Sequence, residues 1–259
     1  MKSVISAARW RREKMPVIYE PSGKAREYSE LALNLYSGCA HKCKYCYCPA
    51  IRRMSLEEWA AHPKARTDIL KQVAREARKM SGCEKEVLLS FMSDPYQDEE
   101  AAFLTREALL ILERNGFRKV QILTKAGFRA VKDFDIIQRN PEWKFGSTII
   151  MRDDALREEW EPGAPSIESR YDAVKIACSR GIFTWVSVEP VVDPAEALKV
   201  IKDLLPYVAF WKVGKLNHDK PTEDAIDWTA FLAEVRTALC GRPHMIKKDL
   251  QKYGVEEGN

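Results

Sequence analysis

The stretch Gly38-Cys39-Ala40-His41-Lys42-Cys43-Lys44-Tyr45-Cys46-Tyr47 sets three cysteines in a C-x3-C-x2-C spacing. Three thiolates so spaced suit a four-iron cluster and leave one iron without a protein ligand. An iron with an open position binds and activates a small molecule, whereas a cluster held by four cysteines mostly passes electrons. The spacing also admits a structural zinc, with Cys48 or His41 as the fourth ligand. Zinc motifs usually pair two C-x2-C units far apart, and this chain has no second pair.

Immediately before the loop lies an apolar run, Leu31–Tyr36, that reads as a buried strand. Further runs rich in β-branched residues predict strands at Glu86–Ser93, Val120–Lys125, Phe145–Met151, Phe183–Val191 and Val208–Gly214, with helical periodicity between them. Such alternation implies an α/β fold of parallel strands joined by right-handed crossovers. Asp193-Pro194-Ala195-Glu196 supplies a cap, a first-turn proline and a glutamate for a helix running to Leu205, while Asn115-Gly116 and Gly181 close two others. Six β/α units are too few for an eight-stranded barrel.

Reactive groups in parallel β/α folds gather at the carboxyl ends of the strands. That rule selects the cysteine loop, Ser93-Asp94, Thr124-Lys125, Arg152-Asp153-Asp154, Ser187 to Glu189 and Lys212 to Lys215. Glu189 stands within the apolar stretch WVSVEPVV, where a carboxylate must be hydrogen-bonded or shift its pKa. Lys212 and Lys215 flank Gly214 and are candidate contacts for an anionic substrate. Each has a structural alternative: Lys125 snorkelling from the rim, Asp94 closing an Asx turn before Pro95, Arg152 lying at the surface.

A chain of 259 residues, 46% hydrophobic and 31% charged, with no Gly/Ser-rich linker, is expected to form one domain, with a basic extension over residues 1–20 and a frayed GVEEGN tail. Seven cysteines, an odd number with three clustered, fit ligand use in a reducing compartment. The start has no signal-peptide core and no segment is apolar for long enough to span a membrane, so a cytoplasmic location is expected. A net charge of +4 is too small to argue for nucleic-acid binding. Arg9, Arg11, Arg12 and Lys14 around Trp10, and Lys42, Lys44, Arg52 and Arg53 around the cysteine loop, are either phosphate contacts or solvated surface.

With an aromatic residue, Tyr45, immediately before its third cysteine, the loop resembles the signature of the radical S-adenosylmethionine (SAM) enzymes. The flanking text PSGKAREYSELALNLYSGCAHKCKYCYCPA, then LLSFMSDPYQ, ILTKA, WVSVEPVVDP and FWKVGKLN, resembles the DNA-repair photolyase-like proteins related to spore photoproduct lyase, from about Pro21 to Asp249. The resemblance implies a partial (β/α)6 barrel of the TIM type and a 4Fe-4S cluster on Cys39, Cys43 and Cys46. It implies reductive cleavage of SAM, bound through its amino and carboxylate groups, to a 5′-deoxyadenosyl radical that abstracts a hydrogen atom. It also implies a one-electron donor such as flavodoxin or ferredoxin, and a substrate that is a nucleic-acid base or nucleotide in DNA or RNA.

By the same resemblance Lys125 pairs with the SAM carboxylate and Ser93 and Asp94 contact its amino group; Arg152 is a candidate SAM contact, and Glu189, from its place in an apolar strand, a candidate for binding substrate or the SAM ribose. Tyr45 packs near the adenine, and Tyr45 and Tyr47 are placed to pass a radical. One departure matters. Where the lyases carry a hydrogen-donating cysteine ahead of the Ser-Asp step, this chain reads Phe91-Met92-Ser93-Asp94, leaving Cys48 as the thiol closest in sequence to the cluster. Two other readings stay open: a zinc-stabilised nucleic-acid binding module without redox chemistry, and a radical SAM enzyme acting on a peptide or small metabolite.

Overall fold

The computed structural model describes residues 16–254; the basic run around Trp10 and the tail from residue 255 lie outside the described residues. The strands are β1 (Ile18–Tyr19), β2 (Leu31–Leu33), β3 (Tyr36–Ser37), β4 (Lys64–Ala65), β5 (Val87–Leu89), β6 (Val120–Thr124), β7 (Lys144–Thr148), β8 (Phe183–Val191), β9 (Phe210–Lys215) and β10 (His244–Ile246). Eight of them form one sheet in the order β1-β2-β5-β6-β7-β8-β9-β10. Only β1 runs antiparallel to its neighbour; every other pairing is parallel. Strands β3 and β4 form a separate antiparallel ladder beside the cysteine loop.

The α/β architecture expected from the sequence is present, with one more parallel strand than the six read there. The addition, β10, is three residues long and carries His244 on its exposed side, so no apolar run announces it. Strand β5 also stops at Leu89, short of Ser93. The Asn34 side-chain oxygen takes the N–H groups of Phe91 and Met92 at 2.9 and 3.1 Å, which diverts that backbone from the ladder. Strand β8 spans the predicted residues.

Buried apolar side chains on the outer face of the sheet meet amphipathic helices. Asp98, Asp193 and Asp227 cap the helices Glu99–Arg114, Pro194–Leu204 and Trp228–Ala238 by accepting from the backbone N–H three residues on. The concave side is different, because polar groups meet there. Tyr28, just ahead of β2, reaches Ser187 and Glu189 on β8, and Gln121 of β6 donates to the Tyr28 carbonyl at 2.6 Å. The turn before Tyr28 is tied to the opposite edge of the sheet, Glu27 to Lys247 at 3.2 Å and Lys24 to Asp249. It thereby straps the seam between the first and last parallel strands.

Candidate active site

Three segments hold the cysteine loop. Cys39 N–H donates to the Trp59 carbonyl at 3.4 Å, Ala40 N–H to Gln97 Oε1 at 2.7 Å, and Lys44 N–H to the Trp160 carbonyl at 2.9 Å. Gly163 N–H returns a bond to the His41 carbonyl at 3.0 Å. Here the residue must be glycine for want of room: a Cβ on Gly163 would stand 2.1 Å from the Ala40 carbonyl oxygen. The loop's fold therefore depends on segments up to about 120 residues away in sequence.

Cys43 is buried and Cys39 and Cys46 are half-buried. Burial pushes the Cys39 and Cys43 thiols up, the latter to about 12, while Lys125 pulls Cys43 back in part. A hydrogen bond from the Cys48 thiol outweighs burial at Cys46 and holds it at about 7. Cys39 feels the charge of Cys43, and Cys43 that of Cys46, so the three ligand candidates form one group. Thiolates so buried need a cationic partner, and an iron cluster supplies one. Among the described residues no three His, Cys, Asp or Glu side chains are gathered tightly enough to grip a single ion. Burial holds His41 near 4, hence neutral; its Nε2 and the Gln97 Nε2 are buried at the loop without partners.

Behind the loop lies a buried charge network that no sequence pattern announced. Arg170 Nη1 donates to Glu161 Oε2 at 2.5 Å, and the Tyr45 phenol donates to the other Glu161 oxygen. Lys125 Nζ stands 4.0 Å from that oxygen and 5.5 Å from the centre of the Tyr45 ring. Burial alone would raise the Glu161 carboxyl, but Arg170 and Lys125 hold it below its ordinary value. Burial would lower Lys125, yet Cys43 and Glu161 override it and the ammonium is favoured. Tyr45 and Lys125, two residues singled out by sequence, are thus brought together on a third that was not.

Asp94 works within the protein. Its Oδ1 accepts from Tyr96 N–H at 2.8 Å and from the Thr124 hydroxyl at 2.7 Å, and its Oδ2 accepts from Lys125 N–H at 2.7 Å. The turn after β5 is thereby locked to the end of β6, and the base of Lys125 is fixed. The reading of Asp94 as the former of an Asx turn is the one this geometry bears out. Ser93 lies in the same turn, its carbonyl accepting from Ser90 Oγ at 2.6 Å.

The Tyr47 phenol donates to the Phe91 carbonyl at 3.2 Å, and the buried Cys48 thiol reaches the same oxygen at 3.5 Å. Both therefore stand against the segment that Asn34 diverts from β5. On the concave face of the sheet, Glu189 accepts from Tyr28, and Gly214 leaves it room, since a Cβ there would sit 2.7 Å from the Glu189 carboxyl carbon. Burial raises Glu189, offset in part by Lys247. Lys212 Nζ lies 4.2 Å from the Tyr28 ring centre and 4.4 Å from that of Trp185, with the Tyr28 carbonyl at 3.4 Å. Lys247 Nζ also lies over the Tyr28 ring, at 4.3 Å.

Two expected site residues stand elsewhere. Arg152 pairs with Glu168 at 2.9 Å and Asp203 at 3.6 Å and lies over Tyr171, among the outer helices. Lys215 pairs with Glu223 at 2.7 Å over the Trp228 ring. It follows Gly214 by one residue and so points through the opposite face of β9 from Lys212. The structure does not bring either to the cysteine loop.

A family model described as the Radical SAM superfamily matches residues 33–205, from β2 through the helix after β8. The chain belongs to the radical SAM superfamily. It is therefore an enzyme whose cofactors are a 4Fe-4S cluster and SAM, and the zinc-module reading is overturned. An uncharacterized protein of Methanocaldococcus jannaschii is 27% identical over 195 residues, covering 73% of this chain and 71% of the relative. An uncharacterized protein of Mycobacterium tuberculosis is 23% identical over 167 residues, and the match spans about half of that relative, 49%.

Among solved structures, a point mutant of spore photoproduct lyase superposes with a TM-score of 0.67 at 13% identity, covering 90% of this chain and 79% of the lyase. Streptococcus suis SuiB bound to S-adenosylmethionine gives 0.60 at 12% identity, covering 88% and 52%. At such identities the likeness establishes the radical SAM fold. No helix among the described residues is long and apolar enough to cross a membrane.

Proposed function

We propose that Cys39, Cys43 and Cys46 hold the cluster and that the enzyme abstracts a hydrogen atom from a nucleic-acid base or nucleotide seated beside Tyr28, Glu189 and Lys212. The observation that carries the reading is the convergence of Cys43, Lys125 and Tyr45 on one buried carboxylate, Glu161, behind the loop that holds the three cysteines. When bound and reduced, cluster and SAM supply a carbon-centred radical that removes hydrogen from an unactivated carbon.

The protein's own residues place and guard that chemistry. Lys125, fixed at its backbone by Asp94 and charged by its neighbours, holds the SAM carboxylate. Tyr45, anchored through its phenol, presents its ring to the adenine. Glu189 accepts from the polar edge of a base, and Lys212 meets a phosphate. The faces of Tyr28 and Trp185 supply stacking surface. Tyr47 and Cys48, both turned to the Phe91 carbonyl, stand where a hydrogen atom is handed on. The nucleotide class is supported by this combination of aromatic faces, carboxylate and buried cation, which a plain aliphatic substrate would leave unused.

Anaerobic reconstitution followed by SAM and dithionite tests the cysteine assignment. 5′-Deoxyadenosine and methionine are expected, and both are lost in Cys43→Ala. Iron incorporation without SAM cleavage in the wild type would overturn it. For the substrate, deuterated oligonucleotides are expected to pass deuterium into 5′-deoxyadenosine. Transfer from labelled peptides alone would replace the nucleotide reading.

A further inference from the structure

The segment Tyr47–Met54, which leaves the cysteine loop and forms the short helix Cys48–Arg52, carries an unusual surface. Among the described residues eight large hydrophobic side chains are exposed, and three of them, Tyr47, Ile51 and Met54, fall within these eight residues, Ile51 at 62% exposure. Soluble proteins scatter exposed apolar residues singly, and a local group with a charged rim marks a protein contact. The rim here is basic. Arg52 and Arg53 are exposed, and among the described residues no carboxylate pairs with either, whereas nearby Lys42 and Lys44 are paired with Glu57 and Glu159.

This surface is also the chain's short path to the cysteines. Tyr47 follows Cys46 directly, and the helix begins at Cys48, two residues beyond it. Electron transfer weakens steeply with distance, so a protein that reduces the cluster must dock over the nearest surface. Members of the superfamily need a reductant. We infer that Ile51, Met54 and the flanking Arg52 and Arg53 form the docking face for an acidic one-electron donor protein. The apolar centre favours a protein over a nucleic-acid backbone, because phosphates use the arginines and leave Ile51 and Met54 without a partner. A small contact with unpaired charge at its rim fits the weak, salt-sensitive encounters of redox partners. The inference rests on the cluster reading of Cys39, Cys43 and Cys46.

The test uses the full, reconstituted chain with two reductants, dithionite and photoreduced flavodoxin, and two variants, Ile51→Ser/Met54→Ser and Arg52→Glu/Arg53→Glu. SAM cleavage with dithionite is expected to stay within about twofold of wild type in both, which also shows that they fold and load iron. Flavodoxin-driven cleavage is expected to fall about tenfold or more in both at low salt, and the charge-reversed variant is expected to lose the wild-type decline with added salt. Unchanged flavodoxin rates overturn the inference. So does an equal loss with both reductants, which would assign this face to SAM or substrate, and so does a wild type that dithionite drives but flavodoxin does not at any salt. A wild type inactive with dithionite overturns the cluster reading itself and this inference with it.

Discussion

Glu161 and Arg170 form an ion pair, Oε2 to Nη1 at 2.5 Å, in which neither side chain reaches solvent. Such a pair is weak evidence for stability, since both charges left water to make it. Its value here is positional. The second Glu161 oxygen anchors Tyr45, and Lys125 stands beside it, so the pair orients two groups that face the cysteines. Removing one partner strands the other.

Arg170→Met is accordingly expected to cost on the order of 3–5 kcal/mol, because it leaves a carboxylate buried with only a phenol and a lysine at 4.0 Å. Adding Glu161→Gln removes the stranded charge, so the double variant is expected to be more stable than Arg170→Met alone. Anaerobic urea unfolding of the three proteins checks this. A double variant less stable than Arg170→Met would show that Glu161 is held mainly by Tyr45 and Lys125.

Gly163→Ala should act on the cysteine loop without touching a ligand. The new methyl would meet the Ala40 carbonyl oxygen at 2.1 Å and the His41 Cα at 2.9 Å, both backbone atoms that no rotamer change can move. Relieving the clash means lifting the loop from the segment 160–164, at an overpacking cost of about 1–3 kcal/mol. Iron content after reconstitution is expected to fall well below wild type while the far-ultraviolet spectrum is retained. Normal iron loading would show that the loop closes without this contact.

Short-range chemistry was readable in the chain and long-range geometry was not. The cysteine spacing is local, and strand β8 stands out because Phe183–Val191 is rich in aromatic and β-branched residues and bounded by a glycine and a capped helix. Lys125, Glu189 and Lys212 stand out in the sequence as polar residues at the ends of, or within, such runs. Arg152 stands among the outer helices because β7 ends at Thr148, four residues before it, and Lys215 faces away from Lys212 because a strand's faces alternate residue by residue. Glu161 follows Glu158 and Glu159 in what reads as a solvated acidic helix end. Only partners at positions 45 and 170, invisible to any window of sequence, distinguish it.

Lys212 makes the concave face of the sheet responsive to pH. Burial lowers it from 10.5 to about 8, so below about 8 the lysine is protonated in folded and unfolded chains alike and the folded state bears the cost of the buried charge. Between about 8 and 10.5 the unfolded chain binds more protons, and stability from this group rises with pH. The stability of wild type relative to Lys212→Met is therefore expected to move in the wild type's favour over that window, by on the order of 3 kcal/mol, whatever its sign at pH 7. Urea unfolding of both proteins at several pH values from 7 to 10.5 measures it. A nucleotide phosphate beside Lys212 would favour the ammonium and restore its pKa, so saturating ligand should flatten the difference. A slope that is unchanged by nucleotide would place the phosphate elsewhere, leaving Lys212 as a packing residue between Tyr28 and Trp185.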